Sequence, residues 1–245
     1  MLSCRRLVGC ACVAALALIT PTDVQAQWHA DAYLGVSHMR PATITIDRPS
    51  EGVSLEFKGV EFEERSLKPP LYYGLRFGRW FGRGQRVGVE IEWIHAKAYG
   101  VTDRRYEVVG DPGPYADLIQ PPAPMNALVS RYAMSHGLNF LFGNVAWRAP
   151  IRQGPVTAVL RGGAGPSLPH GESTFAGEAR EQSVYGGVGV HAAAGVEIRV
   201  YRTLAAAVDY KFTFARPEID IAGGTGRTTA LTHHLAIGLA FRLSR

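Results

Sequence analysis

Apolar and polar residues alternate along most of this chain with a period of two, the spacing of strands with one apolar face. No segment sustains the 3.6-residue period of an amphipathic helix. In the first stretch Trp28, Ala30, Ala32, Leu34 and Val36 share one face, and His29, Asp31, Tyr33, Gly35 and Ser37 the other. From Leu71 to Phe81, Tyr73, Leu75 and Phe77 oppose Gly74, Arg76 and Gly78. From Arg86 to His95, Val87, Val89, Ile91 and Trp93 oppose Gly88, Glu90 and Glu92. From Tyr132 to Trp147 the apolar set is read as Met134, Leu138, Phe140 and Phe142, against Ser135, Gly137, Asn139 and Gly143. Further on, Val156, Ala158 and Leu160 oppose Thr157, Arg161, Gly163 and Gly165. Val188, Val190, Ala192, Ala194, Val196 and Ile198 oppose Gly189, His191, Gly195, Glu197 and Arg199. Ala206, Val208, Tyr210, Phe212 and Phe214 oppose Ala207, Asp209, Lys211 and Thr213, and Leu235, Ile237, Leu239, Phe241 and Leu243 oppose His234, Gly238 and Arg242. This gives eight amphipathic strands, each long enough to cross a bilayer at a tilt.

The connections alternate as well. Short ones are expected at Gly82–Gln85, Pro150–Pro155 and Tyr201–Thr203. Long polar ones are expected at about residues 40 to 70, 100 to 130, 166 to 183 and 216 to 231. Short turns at one end and long loops at the other describe an all-β, eight-stranded antiparallel up-and-down transmembrane β-barrel, closed so that no strand edge meets lipid. A soluble barrel would turn its apolar face inward. Here the polar face is rich in glycine and the apolar face carries Trp93, Phe140, Phe142, Tyr210, Phe212 and Phe241. The interior of an eight-stranded barrel has room for little more than small side chains and a few long ones. The apolar face is therefore read as outward, with Trp28, Trp80, Phe81, Trp147 and Tyr201 as an interfacial girdle at the short-turn end.

The start of the chain reads as a secretory signal peptide: a basic Met1–Arg6, an apolar Leu7–Ile19, and small residues ending at Ala26. Residues 1 to 26 are thus expected to be removed, leaving 27 to 245 as the barrel domain. Cys4, Cys10 and Cys12, all the cysteines, leave with that segment, which excludes disulfides, thiolate nucleophiles and cysteine metal sites. Of 26 basic and 21 acidic residues it also removes Arg5, Arg6 and Asp23. The remaining 24 against 20 is too mild a balance for nucleic-acid binding.

Signal, alternation and loop pattern together resemble the small outer-membrane β-barrel family of the OmpA-like and OmpX-like kind, over essentially the whole chain after residue 26. Tyr72-Tyr73-Gly74-Leu75-Arg76-Phe77-Gly78 and Gly238-Leu239-Ala240-Phe241 look like strands of that group. Phe241 departs from its pattern in being followed by Arg242-Leu243-Ser244-Arg245 rather than ending the chain. The resemblance implies residence in the cell outer membrane, contact with outer-membrane lipid and lipopolysaccharide, insertion by the barrel machinery, and a monomer. It implies no cofactor.

The strand phases send Asp31, Glu90, Glu92, Glu197 and Asp209, and Arg76, Arg161, Arg199, Lys211 and Arg242, into the lumen, five of each sign. Buried charge persists when paired, so a salt-bridged and largely closed lumen is expected. A rival role for Glu90, Glu92 and His191 is a proton or ion path. Arg104, Arg105 and Arg131 are candidates for lipopolysaccharide phosphates. No catalytic or metal site is expected. Ser37-His38 and Ser135-His136 are adjacent, so each pair should diverge on a regular strand, as should His233-His234. Gly223 to Thr228 lacks the strand, lysine and helix of a phosphate loop and reads as a mobile loop tip, and Glu61–Glu64 as solvated loop. The expected function is non-enzymatic: a rigid barrel displaying four external loops for structural, adhesion-like or surface-recognition roles. The alternatives are a lipid A-modifying deacylase or acyltransferase, and a soluble periplasmic barrel binding an apolar ligand.

Overall fold

A computed structural model of the chain describes residues 27–243 except 83, 121, 152 and 153; the expected signal peptide lies outside the described residues. In chain order, β1 (Gln27–Met39) gives way to β2 (Ala42–Arg48), β3 (Val53–Val60) and the short β4 (Phe62–Glu63). β5 (Tyr73–Phe81) and β6 (Val87–Gly100) precede β7 (Arg105–Asp111) and β8 (Ala123–Pro124). Then come β9 (Val129–Pro150), β10 (Val156–Phe175), β11 (Glu178–Ser183), β12 (Val188–Arg199) and β13 (Leu204–Ala215). The chain finishes with β14 (Glu218–Ile221), β15 (Gly224–Thr228) and β16 (Ala230–Leu243).

Eight of these close a barrel in the order β1-β5-β6-β9-β10-β12-β13-β16, every neighbour antiparallel. β16 returns to β1 along twelve pairs from Trp28–Leu243 to Met39–Thr232. Closure leaves no unpaired edge in the wall. Leu34, Leu75, Ile91, Val145, Leu160, Val190 and Ile237 all point outward, each about half exposed or more, while the facing positions of the same strands carry buried charge. Apolar side chains are favoured outward only where the surroundings are hydrocarbon, so the architecture is that of a transmembrane barrel of the outer-membrane type.

The long connections are not free loops. β14-β15-β2-β3-β7-β8 form a second, six-stranded antiparallel sheet beyond the barrel mouth. Its strands alternate as well: Ile44, Ile46, Leu55, Phe57 and Val60 turn inward, fully or almost fully buried, and Thr45, Asp47, Ser54, Glu56 and Lys58 turn to solvent. The inward set joins one cluster with Tyr132, Met134, Leu138, Phe140 and Phe142 of β9 and Phe175 of β10. β9 and β10, 22 and 20 residues long, far exceed the 9–11 residues that a membrane strand needs. Their distal halves form the wall against which the outer sheet packs. Gly223 to Thr228, expected as a loop tip, instead forms the β14–β15 turn and a strand paired with β2 from Thr225–Asp47 to Thr228–Ile44.

On β9 the expected phase is wrong. Phe140 and Phe142 are fully buried in the lumen, Met134 and Leu138 are buried above them, and Leu141, Val145 and Trp147 face outward. The segment is apolar in both phases, so periodicity alone does not settle it; Asn144 and Arg148, on the phase of Phe142, do. Space for the Phe140 ring comes from Gly189 on β12, two strands along the wall, where a Cβ would stand 3.1 Å from that ring. Trp80 likewise leaves the expected girdle. It is buried inside the short-turn end, stacked on His29 at 5.4 Å with the Arg148 guanidinium 4.4 Å above its ring.

The reassigned phase yields a test. Val145→Arg places a charge on the lipid side and should lower folding stability in lipid vesicles by about 2–4 kcal/mol near the midplane, measured by urea titration. A change near zero would return Val145 to a solvated or lumenal face.

Candidate functional site

The bore is organised around two guanidinium groups. Arg76, brought inward by the alternation of β5, lies opposite Asp31 on β1 and Glu92 on β6. Its Nη1 donates to Asp31 Oδ2 at 2.8 Å, and its Nη2 to Glu92 Oε1 at 3.0 Å and Asp209 Oδ2 at 3.1 Å. Arg161 reaches in from the far wall: Nε donates to Glu90 Oε2 at 3.1 Å, Nη1 to Asp209 Oδ1 at 3.0 Å and Nη2 to Glu197 Oε1 at 3.3 Å. Arg242 closes the lower end on Glu197 Oε2 at 2.8 Å. Lys211 pairs with Glu92 and donates to the Tyr33 hydroxyl at 2.8 Å, which in turn donates to Glu92 Oε1 at 2.7 Å. Each carboxylate thus meets a cation taken from a different strand. That arrangement gives charge in a low-dielectric interior its compensation.

Nine of the ten residues placed in the lumen by sequence lie in this network, and Arg199 does not. It is exposed at the end of β12, where its backbone N–H donates to Pro155 of the neighbouring turn, and it makes no ion pair among the described residues. β12 ends there, beyond the plug of Trp80 and Arg148, and a guanidinium that can reach water stays in it. Arg148 completes the balance instead. Buried on the inward face of β9, it donates to the Gln85 carbonyl at 2.6 Å and the Gln85 side chain at 3.0 Å. Arg148 and Asn144 escape a sequence reading that puts β9 in the opposite phase. Asn144 donates to Glu92 Oε2 at 2.8 Å and accepts from His191 Nε2 at 2.7 Å, and His191 stacks on Phe142 at 4.7 Å. Glu90, Glu92 and His191, the rival ion path, are all buried, with His191 stacked on Phe142 and Phe142 on Phe140.

Of the serine–histidine pairs, Ser37 and His38 diverge, one inward and one exposed. Ser135 and His136 do not. β9 and β10 slip register between Pro169 and Glu172, and Gly137 takes φ +135°, a conformation suited to glycine. The irregularity brings Ser135 Oγ within 3.1 Å of His136 Nδ1, with both groups against Glu172 Oε1. Serine and carboxylate meet the same ring nitrogen, whereas a relay needs one at each. His233 and His234 separate as expected: His233 lies beside the Tyr210 hydroxyl at 2.5 Å, and His234, buried in the bore, meets Thr213 Oγ1 at 2.9 Å.

Each phosphate candidate has a partner within the protein. Arg104 pairs with Glu61, Arg105 donates to the Pro122 carbonyl at 2.9 Å, and Arg131 donates through Nε to Glu172 at 2.6 Å. Glu61–Glu64 is less solvated than expected. Glu64 accepts from the Met39 N–H at 2.5 Å, and burial lifts its carboxyl above the usual carboxylate range.

The hub and the rim make opposite demands on a substitution. Arg76→Leu strands carboxylates in the bore and should cost about 3–5 kcal/mol of folding stability, whereas Arg199→Ala should stay within about 0.5 kcal/mol of the wild type. Urea titration of the refolded barrel measures both; equal effects would remove the hub.

No family model matches the chain, and no curated protein matches it. Among solved structures it is similar to neisserial surface protein A, at 12% identity over 91% of this chain and 100% of that one, with a TM-score of 0.39. It is similar to the outer membrane protein OprG of Pseudomonas aeruginosa at 9% identity over 91% and 95%, with a TM-score of 0.44. It is also similar to the outer membrane protease OmpT of Escherichia coli at 8% identity over 89% and 97%, with a TM-score of 0.45. The assignment of the fold rests on the closed strand pairing and the outward apolar belt of this chain itself: it has the architecture of the small eight-stranded outer-membrane barrels.

Proposed function

We propose that this protein is a closed, non-conducting display barrel that holds a preformed sheet above the outer membrane for structural, adhesion-like or surface recognition. The observation carrying this reading is the continuous buried cluster that runs from Phe140 and Phe142 in the bore to Ile44, Ile46, Leu55 and Phe57 in the outer sheet. It stoppers the mouth above the ion-paired bore and locks the outer sheet to the wall. The solvent face of that sheet, with Thr45, Asp47, Ser54, Glu56, Lys58 and Arg227, is polar and laid out on paired strands, a surface that needs little ordering before it binds. Lipopolysaccharide phosphate contact at Arg104, Arg105 and Arg131 belongs to the same proposal, supported by side chains of Arg104 and Arg131 that are about half exposed.

A second reading, lipid A modification, rests on the proximity of Ser135, His136 and Glu172 on the outside of the wall, and it requires the His136 ring to turn so that serine and carboxylate meet different nitrogens. Purified barrel in planar bilayers should be electrically silent, and so should Glu92→Gln; a stable unitary conductance in the wild type would overturn the closed-barrel reading. Overexpression should leave the lipid A mass profile unchanged. Loss or gain of an acyl chain that disappears in Ser135→Ala would replace display with catalysis.

A further inference from the structure

On the outer surface of the β9–β10–β11 wall, above the hydrophobic belt, four side chains converge that neither the bore nor the display reading uses. They are His136 of β9, His170 and Glu172 of β10, and Glu181 of β11, and one ligand atom from each lies within 4.8 Å of the others. We propose that these four residues form a binding site for a divalent transition-metal ion of the zinc class.

Strand geometry assembles the set. His170 and Glu172 are two apart on one face of β10, Glu181 is the cross-strand partner of Glu172, and His136 arrives through the register slip beside Gly137. Two imidazoles and two carboxylates are the donor types that zinc takes in a closed tetrahedral site. Metal bonds of about 2.0–2.2 Å require ligand atoms roughly 3.3 Å apart. His136 and Glu181, with side chains 64% and 61% exposed, are free to close that gap, while Glu172 and His170, at 13% and 23%, form the fixed half.

Three features prepare the site. Glu172 and Glu181 stand directly opposite each other, an arrangement of like charges that weakens a strand pair and that a divalent cation between them would turn into an attraction. Arg131 engages Glu172 through Oε2, leaving Oε1 turned toward His136. The third is the partner of His170. Its Nδ1 lies 2.8 Å from Ser183 Oγ and its Nε2 2.9 Å from Glu181 Oε1. A metal between Nε2 and Glu181 would replace the proton that Nε2 otherwise donates to that carboxylate, and Nδ1–H donating to Ser183 would then hold the ring by the kind of outer hydrogen bond that orients ligating histidines. Bound metal would tie the β10–β11 hairpin to β9.

The test uses the refolded full barrel in detergent, with heat-shifted gel mobility confirming the fold of every variant, titrated with Co2+ and then Zn2+. The wild type should take up one Co2+ per chain with the visible absorption of a tetrahedral site, and Zn2+ should abolish that band. His170→Ala and Glu181→Gln should each weaken binding at least about tenfold, and Ser183→Ala by about tenfold with stoichiometry unchanged. Uptake by the wild type no greater than by the His136→Ala/His170→Ala double variant would overturn the proposal, and so would a Co2+ spectrum that survives all four ligand substitutions.

Discussion

Charge buried inside a narrow cylinder has to find its counter-charge there, and the rest of this molecule is arranged around that requirement. Arg76 and Arg161 each contact four carboxylates, and three of the four, Asp31, Glu90 and Asp209, are shared. Such clusters seldom stabilise a protein more than well-packed hydrocarbon would. What they supply here is register. A slip of one residue in β5 or β6 would turn Arg76 or both glutamates into the bilayer while stranding their partners, so the paired bore admits one alignment of the wall. The same requirement explains an inner surface that is small between the charged residues. A Cβ at Gly74 would overlap the Tyr33 ring, displacing the hydroxyl that Glu92 and Lys211 share.

Above the belt the solvent changes and so does the rule. In the bilayer the apolar residues of the wall face outward; beyond it, in water, they turn inward. β9 obeys both rules along a single strand: Leu141, Val145 and Trp147 project outward, and Tyr132 and Met134 are buried beneath the outer sheet. Inward-facing Phe140 and Phe142 lie at the crossing, where the ion-paired bore gives way to an ordinary hydrophobic core. The stopper is therefore an extension of the outer sheet's own core into the barrel.

Strand number, connectivity order and most inward charges were legible in the sequence because hydrophobic and polar faces separate cleanly on β1, β5, β6, β12, β13 and β16. β9 was not legible, since Leu138 to Trp147 is apolar in both phases and the bulky rings invite an outward reading. Asn144 and Arg148 carried the correcting signal, and their even positions match Phe140 and Phe142. The outer sheet was hidden for a different reason. Its strands are at most eight residues long, and pairings such as β15 with β2 join residues about 180 positions apart, which local pattern does not encode. The meeting of Ser135, His136 and Glu172 depended on a register slip that only the folded wall reveals. His170 and Ser183 likewise meet only once the β10–β11 hairpin has formed.

The continuity of β9 and β10 has a mechanical side. At about 3.3 Å per residue these strands extend roughly 70 Å, so the foundation of the outer sheet and the membrane wall are the same two strands, continuous through the register slip at Gly137 and Pro169 to Glu172. A load applied to the outer sheet passes into the barrel as shear along many antiparallel hydrogen bonds at once, rather than peeling them one after another. The surface that meets the exterior is thus anchored like the head of a rivet whose shank is the membrane-spanning wall.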